Sequence, residues 1–142
     1  MTTVVDASVA LKWYLREDDS EQALALLGSG ERLVAPDLIV AELCNGAWRL
    51  IRRGELRSQQ LAMIARGVPD VFARLYGSAS LAVRATAIAL ELDHPIYDCF
   101  YLALSEAQDA ALVTADHRLV LGTEGTQFAA RTMYLKDAAT GR

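Results

Sequence analysis

The sequence predicts one α/β domain built around a parallel β-sheet. Short β-type runs at residues 2–5, 33–35 and 111–114 alternate with longer apolar helical patterns. The first two runs are separated by two helical segments, and this order favours a right-handed crossover between parallel strands. With 142 residues, of which 53% are hydrophobic and 23% charged, the chain has the length and composition of one compact domain.

Each element follows from a local pattern. The run at residues 2–5 is rich in β-branched residues and predicts a buried strand, after which Ser8 caps the first helix. Gly28 and Gly54 end the second and third helices, while Pro69 breaks the fourth before a third, edge strand. The expected strands are residues 2–5, 33–35, 71–76, 111–114 and 132–135, and the expected helices are residues 9–15, 20–27, 37–53, 59–66, 79–92, 98–107 and 117–120.

An acidic run precedes the second helix. Residues 17–21 contain four carboxylates, and Asp19 or Ser20 is expected to cap the helix. Because acids near a helix N-terminus are favoured by the helix dipole, we expect a solvated helix start here and not a metal site.

Four other acids occupy positions at which a parallel sheet gathers ligands. Asp6 directly follows the first strand, Asp116 lies at the end of the strand at residues 111–114, and Asp98 lies in the first turn of a helix. Glu42 lies inside the apolar helix at residues 37–53, where a buried carboxylate needs a partner or a cation.

Taken singly, these acids also have structural explanations. An isolated Asp6 fits a turn or a helix cap, and Asp98 is favoured by the dipole of its helix. Glu42 fits an exposed relay through Asn45 to Arg49, which lie three and seven residues further along the same helical stripe. The structural explanation weakens because all four acids occupy comparable positions.

If the sheet is parallel, the four carboxylates converge on one metal site. They would repel one another and raise one another's pKa values unless a cation balanced them. Oxygen ligands without Cys or His favour Mg²⁺, with Mn²⁺ as a substitute, over zinc, and such an ion promotes phosphodiester hydrolysis. Ser8, Asn45 and Thr114 are expected to orient the carboxylates by hydrogen bonds.

Four motifs in this order resemble the PIN-domain family. They are VVDASV with Asp6, AEL with Glu42 and Asn45, YDCFYLALSE with Asp98, and VTADHRL with Asp116. The resemblance extends from Val4 to about Leu121 and is strongest to the short VapC-type ribonuclease toxins. It implies a single PIN-like, three-layer α/β/α domain with a central, mostly parallel sheet of four to five strands. We expect this domain over residues 1–135 and a polar tail over residues 136–142.

The resemblance also implies an activity, that of a Mg²⁺-dependent endoribonuclease acting as the toxin of a toxin–antitoxin pair. It implies Asp6 and Asp98 as direct metal ligands, with Glu42 and Asp116 acting directly or through water. It further implies a homodimer that a VapB-type antitoxin holds inactive, its C-terminal segment blocking the acidic pocket, often with an arginine.

Basic residues are few, but 12 of the 14 are arginine. The net charge of −4 argues against a protein that coats nucleic acid through excess positive charge. Arg49 and Arg53, with Arg52 and Arg57, form a local basic cluster near the end of the third helix. The simplest explanation of this cluster is an ordinary solvated helix face. The more specific prediction is that Arg49, Arg53 and Arg118 contact RNA phosphates.

Composition favours a cytoplasmic protein without membrane association. No run approaches the roughly 20 apolar residues that cross a bilayer, and no leader pattern precedes the first strand. Cys44 and Cys99 lie in apolar helical stretches and are expected to be buried, reduced thiols.

Two other function classes fit parts of the pattern. A non-catalytic PIN-like module would keep the acidic pocket and bind RNA or a protein partner. A response-regulator receiver would need a lysine near its last strand, but the only late lysine is Lys136, and Glu42 has no role in that scheme. His94, beside Pro95, is interpreted as a turn residue, since nothing pairs it with a nucleophile.

Overall fold

The computed structural model describes residues 1–138 and shows the three-layer α/β/α domain that the sequence predicts. Its strands are β1 (Thr2–Val5), β2 (Arg32–Pro36), β3 (Arg74–Tyr76), β4 (Ala111–Thr114) and β5 (Thr132–Tyr134). Its helices are α1 (Ala7–Leu11), α2 (Ser20–Leu27), α3 (Leu38–Arg52), α4 (Gln59–Val71), α5 (Ser78–Leu92), α6 (Ile96–Gln108), α7 (His117–Thr123) and α8 (Leu135–Ala138), with 3-10 turns at Lys12–Tyr14 and Ala129–Arg131. The strands form one parallel sheet in the order β3-β2-β1-β4-β5.

Strand β1 lies at the centre of the sheet, and both of its faces are covered. Val4 and Val5 are fully buried, as expected for a β-branched strand between parallel neighbours. The register with β4 places Val5 opposite Val113. Because Asp6 follows Val5 and Thr114 follows Val113, these two polar residues meet at the carboxyl edge of the sheet.

Helix α6 brings a third acid to this edge. Pro95 lies immediately before the helix, and Asp98 lies in its first turn, as the sequence predicts. Further along the helix, Tyr101, Leu102 and Leu104 are buried in the core. The register of this apolar face fixes where Asp98 points, because residues three and four apart share one face of a helix.

The end of helix α4 differs from the prediction. We expected Pro69 to break the helix and a strand to begin at Val71, but α4 continues to Val71 and β3 contains only Arg74–Tyr76. Ile64 and Val68 are buried on one face of the helix, and Val71, three residues after Val68, packs against the core and continues that face past Pro69. Pro69 lies in the last turn, so the hydrogen bond that its missing N–H removes is confined to the end of the helix.

The first helices also differ from the prediction in detail. Asp6, and not Ser8, caps α1, since its side chain accepts a hydrogen bond from the Val9 backbone N–H. The expected helix over residues 9–15 is split between α1 and a 3-10 turn. Asp19 is buried against Lys12 at 2.9 Å, so the prediction of a solvated acidic run is wrong at this residue. Lys12 supplies the counter-charge that makes this burial tolerable.

The C-terminal elements only partly follow the expected boundaries. Strand β5 ends at Tyr134, and Leu135 begins the short helix α8, so the first residues of the expected polar tail are helical. Residues 139–142 of that tail lie outside the described residues.

Buried cysteines and the lack of a membrane-spanning segment were also predicted. Cys99 is buried as expected, whereas Cys44 is partly exposed, and both thiols are free. Within residues 1–138, no helix has the length and hydrophobicity needed to cross a bilayer.

Candidate active site

Asp6 is the most deeply buried acid of the site, with 4% of its surface exposed. One carboxylate oxygen accepts hydrogen bonds from the Ser8 hydroxyl at 2.6 Å and from the Val9 N–H at 3.2 Å. The other accepts a hydrogen bond from the Thr114 hydroxyl, whose oxygen in turn accepts the Asp116 N–H at 3.0 Å. Ser8 and Thr114 therefore hold this carboxylate in place, as their positions in the sequence suggested.

Burial controls the ionisation of Asp6. It raises the pKa of this carboxyl to about 7, against the opposing effect of the hydrogen bonds from Ser8, Thr114 and Val9. The negative charge of Asp98 raises the same pKa further, which shows that the two acids interact electrostatically. Asp6 and Asp98, 92 positions apart in the chain, are therefore close enough in the fold for their charges to interact.

Asp98 is held by a histidine. His94 Nε2 lies 2.8 Å from Asp98 Oδ2, and the His94 side chain is only 10% exposed. The imidazole also lies against α7, because a Cβ atom added at Gly122 would lie 2.7 Å from His94 Nδ1. The absence of a side chain at Gly122 therefore creates the space that this ring occupies.

Glu42 is half-buried and also interacts with Asp98. Its Oε1 accepts a hydrogen bond of 2.7 Å from the Tyr101 hydroxyl. Burial raises the pKa of Glu42, the Tyr101 bond opposes this effect, and the charge of Asp98 adds to it. The pKa of Tyr101 is raised well above its usual value by burial and by the charges of Glu42, Asp6 and Asp98. The alternative explanation of Glu42, a relay through Asn45 to Arg49, does not describe this structure, since the hydrogen bond of Glu42 goes to Tyr101.

Asp116 lies at the rim of the site. It caps α7 by accepting the Arg118 N–H at 2.9 Å, and Arg118 Nε lies 3.5 Å from the same carboxylate. Asp116 and Arg118 line an open cavity of about 420 Å³ together with Glu42 and Asp98. Three of the four predicted acids thus face one cavity, and the fourth, Asp6, is joined to Asp98 electrostatically.

The other predicted residues are less uniformly placed. Asn45 and Arg49 are exposed and line a second cavity of about 370 Å³, which also includes Glu42. Arg53 lies outside both cavities and pairs with Glu55 at 3.0 Å. Nothing in the geometry of Arg53 distinguishes it from an ordinary solvated arginine.

Sequence reasoning missed three contacts of this site, which are made by His94, Tyr101 and Gly122. Tyr101 is three residues after Asp98, so the two side chains share a face of α6, and this spacing was visible in the sequence. His94 and Asp98 are four residues apart, but Pro95 between them led us to interpret His94 as a turn residue only. The contact of Gly122 with His94 depends on tertiary packing and left no signal in the sequence.

The chemistry of the acids supports the predicted metal site, but their present arrangement does not form one. In the described part of the chain, no three His, Cys, Asp or Glu side chains form a group able to hold a metal ion as they stand. Asp98 and Glu42 are instead hydrogen-bonded to His94 and Tyr101. The donor chemistry fits a hard divalent cation, because carboxylate oxygens with raised pKa values lack a compensating positive charge. A bound Mg²⁺ stays a prediction.

Comparison with known proteins establishes the family. A sequence model of the PIN domain matches residues 3–121. The chain belongs to the PIN-domain family. Among curated relatives, this PIN-domain protein is 34% identical over 121 residues to ribonuclease VapC3 of Pyrobaculum aerophilum, an alignment that covers 84% of the chain and 92% of the relative.

Solved structures show the same fold. The protein PAE2754 from Pyrobaculum aerophilum matches this PIN domain with a TM-score of 0.73 at 20% identity. The match covers 99% of this chain and 88% of the PAE2754 chain. A toxin–antitoxin complex from Klebsiella pneumoniae matches with a TM-score of 0.63 at 16% identity, covering 89% and 93% of the two chains.

Proposed function

We propose that this PIN-domain protein is an endoribonuclease that hydrolyses RNA phosphodiester bonds with Mg²⁺ and acts as the toxin of a toxin–antitoxin pair. Its similarity to ribonuclease VapC3 at 34% identity supports the reaction class. One structural observation carries the proposal, namely that Glu42 of α3, Asp98 of α6 and Asp116 at the start of α7 line one cavity. A site that collects negative charge in this way is suited to a cation.

We assign the four acids to the binding of that cation. Asp6 and Asp98 are the direct ligands, and Glu42 and Asp116 act directly or through water. When bound, a hard divalent cation supplies the positive charge that stabilises the negative charge developing on the phosphate during hydrolysis. Among the chain's own groups, Ser8 and Thr114 orient Asp6 by hydrogen bonds.

The position of Asp98 depends on the hydrogen bond from His94, and that of Glu42 on the hydrogen bond from Tyr101. These two donors lie on either side of Asp98 in the chain. They keep both carboxylates facing the same cavity, and Asp116 faces it from the start of α7.

An antitoxin and a second copy of the chain are proposed partners. The match to a toxin–antitoxin complex from Klebsiella pneumoniae and the kinship with a VapC ribonuclease support a VapB-type antitoxin. Val83 and Leu90, seven residues apart on one face of α5, are 84% and 86% exposed. This apolar face supports a homodimer. Light scattering on the purified protein measures the oligomeric state directly.

The nuclease assay tests the proposal. Purified protein is incubated with structured RNAs in Mg²⁺ or in EDTA, and the RNA fragments are resolved by length. Asp98→Asn and Asp6→Asn should each reduce the cleavage rate roughly 100-fold, because an electrostatic group at the reacting phosphate is lost. Asp70→Asn, at an exposed acid on α4, is the matched control and should cleave like the wild type. Equal cleavage by the wild type and both site variants would rule out these acids as the active site, whereas no cleavage by any of the four proteins would favour a non-catalytic binding module.

A further inference from the structure

Tyr97 is an exposed aromatic residue beside the acids. It lies in the first turn of α6, immediately before Asp98, and it is 66% exposed. The chain does not need this ring for its core, because the inward face of α6 is formed by residues such as Tyr101 and Leu102. Single exposed aromatic residues are common on protein surfaces, so the informative feature of Tyr97 is its position beside the acids and not its exposure alone.

Tyr97 lines two cavities of the protein. Together with Glu42, it lines both the cavity of about 420 Å³ that holds Asp98 and the cavity of about 370 Å³ next to it. Each volume lies within the range of small-ligand sites. We name the two cavities together the Tyr97 groove, because Tyr97 and Glu42 line both of them.

Each cavity of the Tyr97 groove also contains one arginine. Arg118 lines the cavity that holds Asp98, and Arg49 lines the other. Among residues 1–138, Arg49 makes no ion pair, so its guanidinium is available to a ligand. An extended polyanion is repelled by the acids at the centre but attracted by the arginines on the two sides.

We propose that the Tyr97 groove binds single-stranded RNA, with the Tyr97 ring stacked on one unpaired base and Arg49 and Arg118 contacting the phosphates on either side. The inference rests on the proposed ribonuclease function and identifies how its substrate is held. Base–aromatic stacking works with any base, so Tyr97 supplies affinity without selecting a sequence. A base within a duplex already has both faces covered, so the groove selects unpaired RNA.

Binding is measured by fluorescence anisotropy with a labelled ten-nucleotide RNA, alone or annealed to its complement. The Asp98→Asn background keeps the RNA intact, and gel analysis after each titration confirms its length. Tyr97→Ala should weaken binding of the single strand roughly 10- to 100-fold, as loss of a stacking ring does, and Tyr97→Phe should retain most of the affinity. Trp48→Ala is the matched control, since Trp48 is 48% exposed but lines neither cavity.

Cleavage kinetics with Asp98 intact provide a second measurement. Tyr97→Ala should raise KM with little change in kcat and should leave Mn²⁺ affinity unchanged, because the ring contacts the substrate and not the acids. The proposal is overturned if Tyr97→Ala binds RNA as tightly as its Asp98→Asn parent, if Trp48→Ala loses as much affinity, or if the duplex binds as tightly as the single strand. Absence of RNA cleavage by the wild type would instead reject the ribonuclease function, and with it this inference.

Discussion

Replacing Asp6 by asparagine should stabilise the metal-free protein at alkaline pH. Asparagine is as good a helix N-cap as aspartate and retains an oxygen that can accept the Val9 N–H and the Ser8 hydroxyl bonds. Its amide group can donate to the Thr114 oxygen, which already accepts the Asp116 N–H. The substitution therefore removes a buried negative charge while keeping the local hydrogen-bond geometry.

The magnitude follows from the pKa of Asp6, which burial raises from 3.8 to about 7. The folded state holds this proton to a higher pH than the unfolded chain does. The free energy of unfolding of the wild type therefore falls as the pH rises from about 4 to about 7, relative to a protein without the group. Each pH unit contributes roughly 1.4 kcal/mol, so the difference between wild type and Asp6→Asn should change by about 3 kcal/mol between pH 5 and pH 8.

Urea unfolding in EDTA, followed by circular dichroism at pH 5 and pH 8, measures this difference. Asp70→Asn is the control for a general effect of net charge, because this residue is exposed. The reasoning is refuted if the difference in unfolding free energy between wild type and Asp6→Asn is the same at both pH values. It is also refuted if Asp70→Asn reproduces the change.

Two further substitutions test the contacts that support the site. Tyr101→Phe removes the hydrogen bond to Glu42. It should therefore lower the free energy of unfolding at pH 7.5 by about 1–3 kcal/mol and raise the pKa of Glu42. Urea unfolding identical to that of the wild type would contradict this prediction. Gly122→Ala should lower the free energy of unfolding by roughly 1–3 kcal/mol, because the added Cβ collides with the His94 ring. Gly67→Ala in α4 is the control and should be neutral or stabilising, because the space at its Cβ is open. The loss at Gly122 should largely disappear in a His94→Ala background, and an equal loss in both backgrounds would show that the ring is not the cause.

The position of the acids at the carboxyl edge of the sheet was predictable, because it depends on hydrophobic periodicity and on the parallel topology of the strands. Parallel strands that end in Asp6 and Asp116 place both residues on one side of the sheet, whatever the details of packing. Glu42 was predicted from the physical cost of a carboxylate among apolar neighbours. The family resemblance supplied the same acids, and the family itself is confirmed.

The supporting contacts were harder to predict, because they depend on side-chain packing between elements distant in sequence. The partner of Glu42 is Tyr101, 59 residues away, and its identity depends on how α3 and α6 approach each other. The continuation of α4 past Pro69 shows the same limitation, because packing of Val71 against the core outweighs a local helix-breaking signal.

Calorimetric titration of Mn²⁺ into the metal-free protein at pH 6, in two buffers of different ionisation enthalpy, tests the central claim most directly. Because the pKa of Asp6 is about 7, a cation that binds its carboxylate must displace a proton. The wild type should bind Mn²⁺ and release close to one proton, while Asp6→Asn and Asp98→Asn should bind much more weakly. A wild type that binds no Mn²⁺, or variants that bind it with unchanged affinity and proton release, would contradict the assignment of these acids to a metal site.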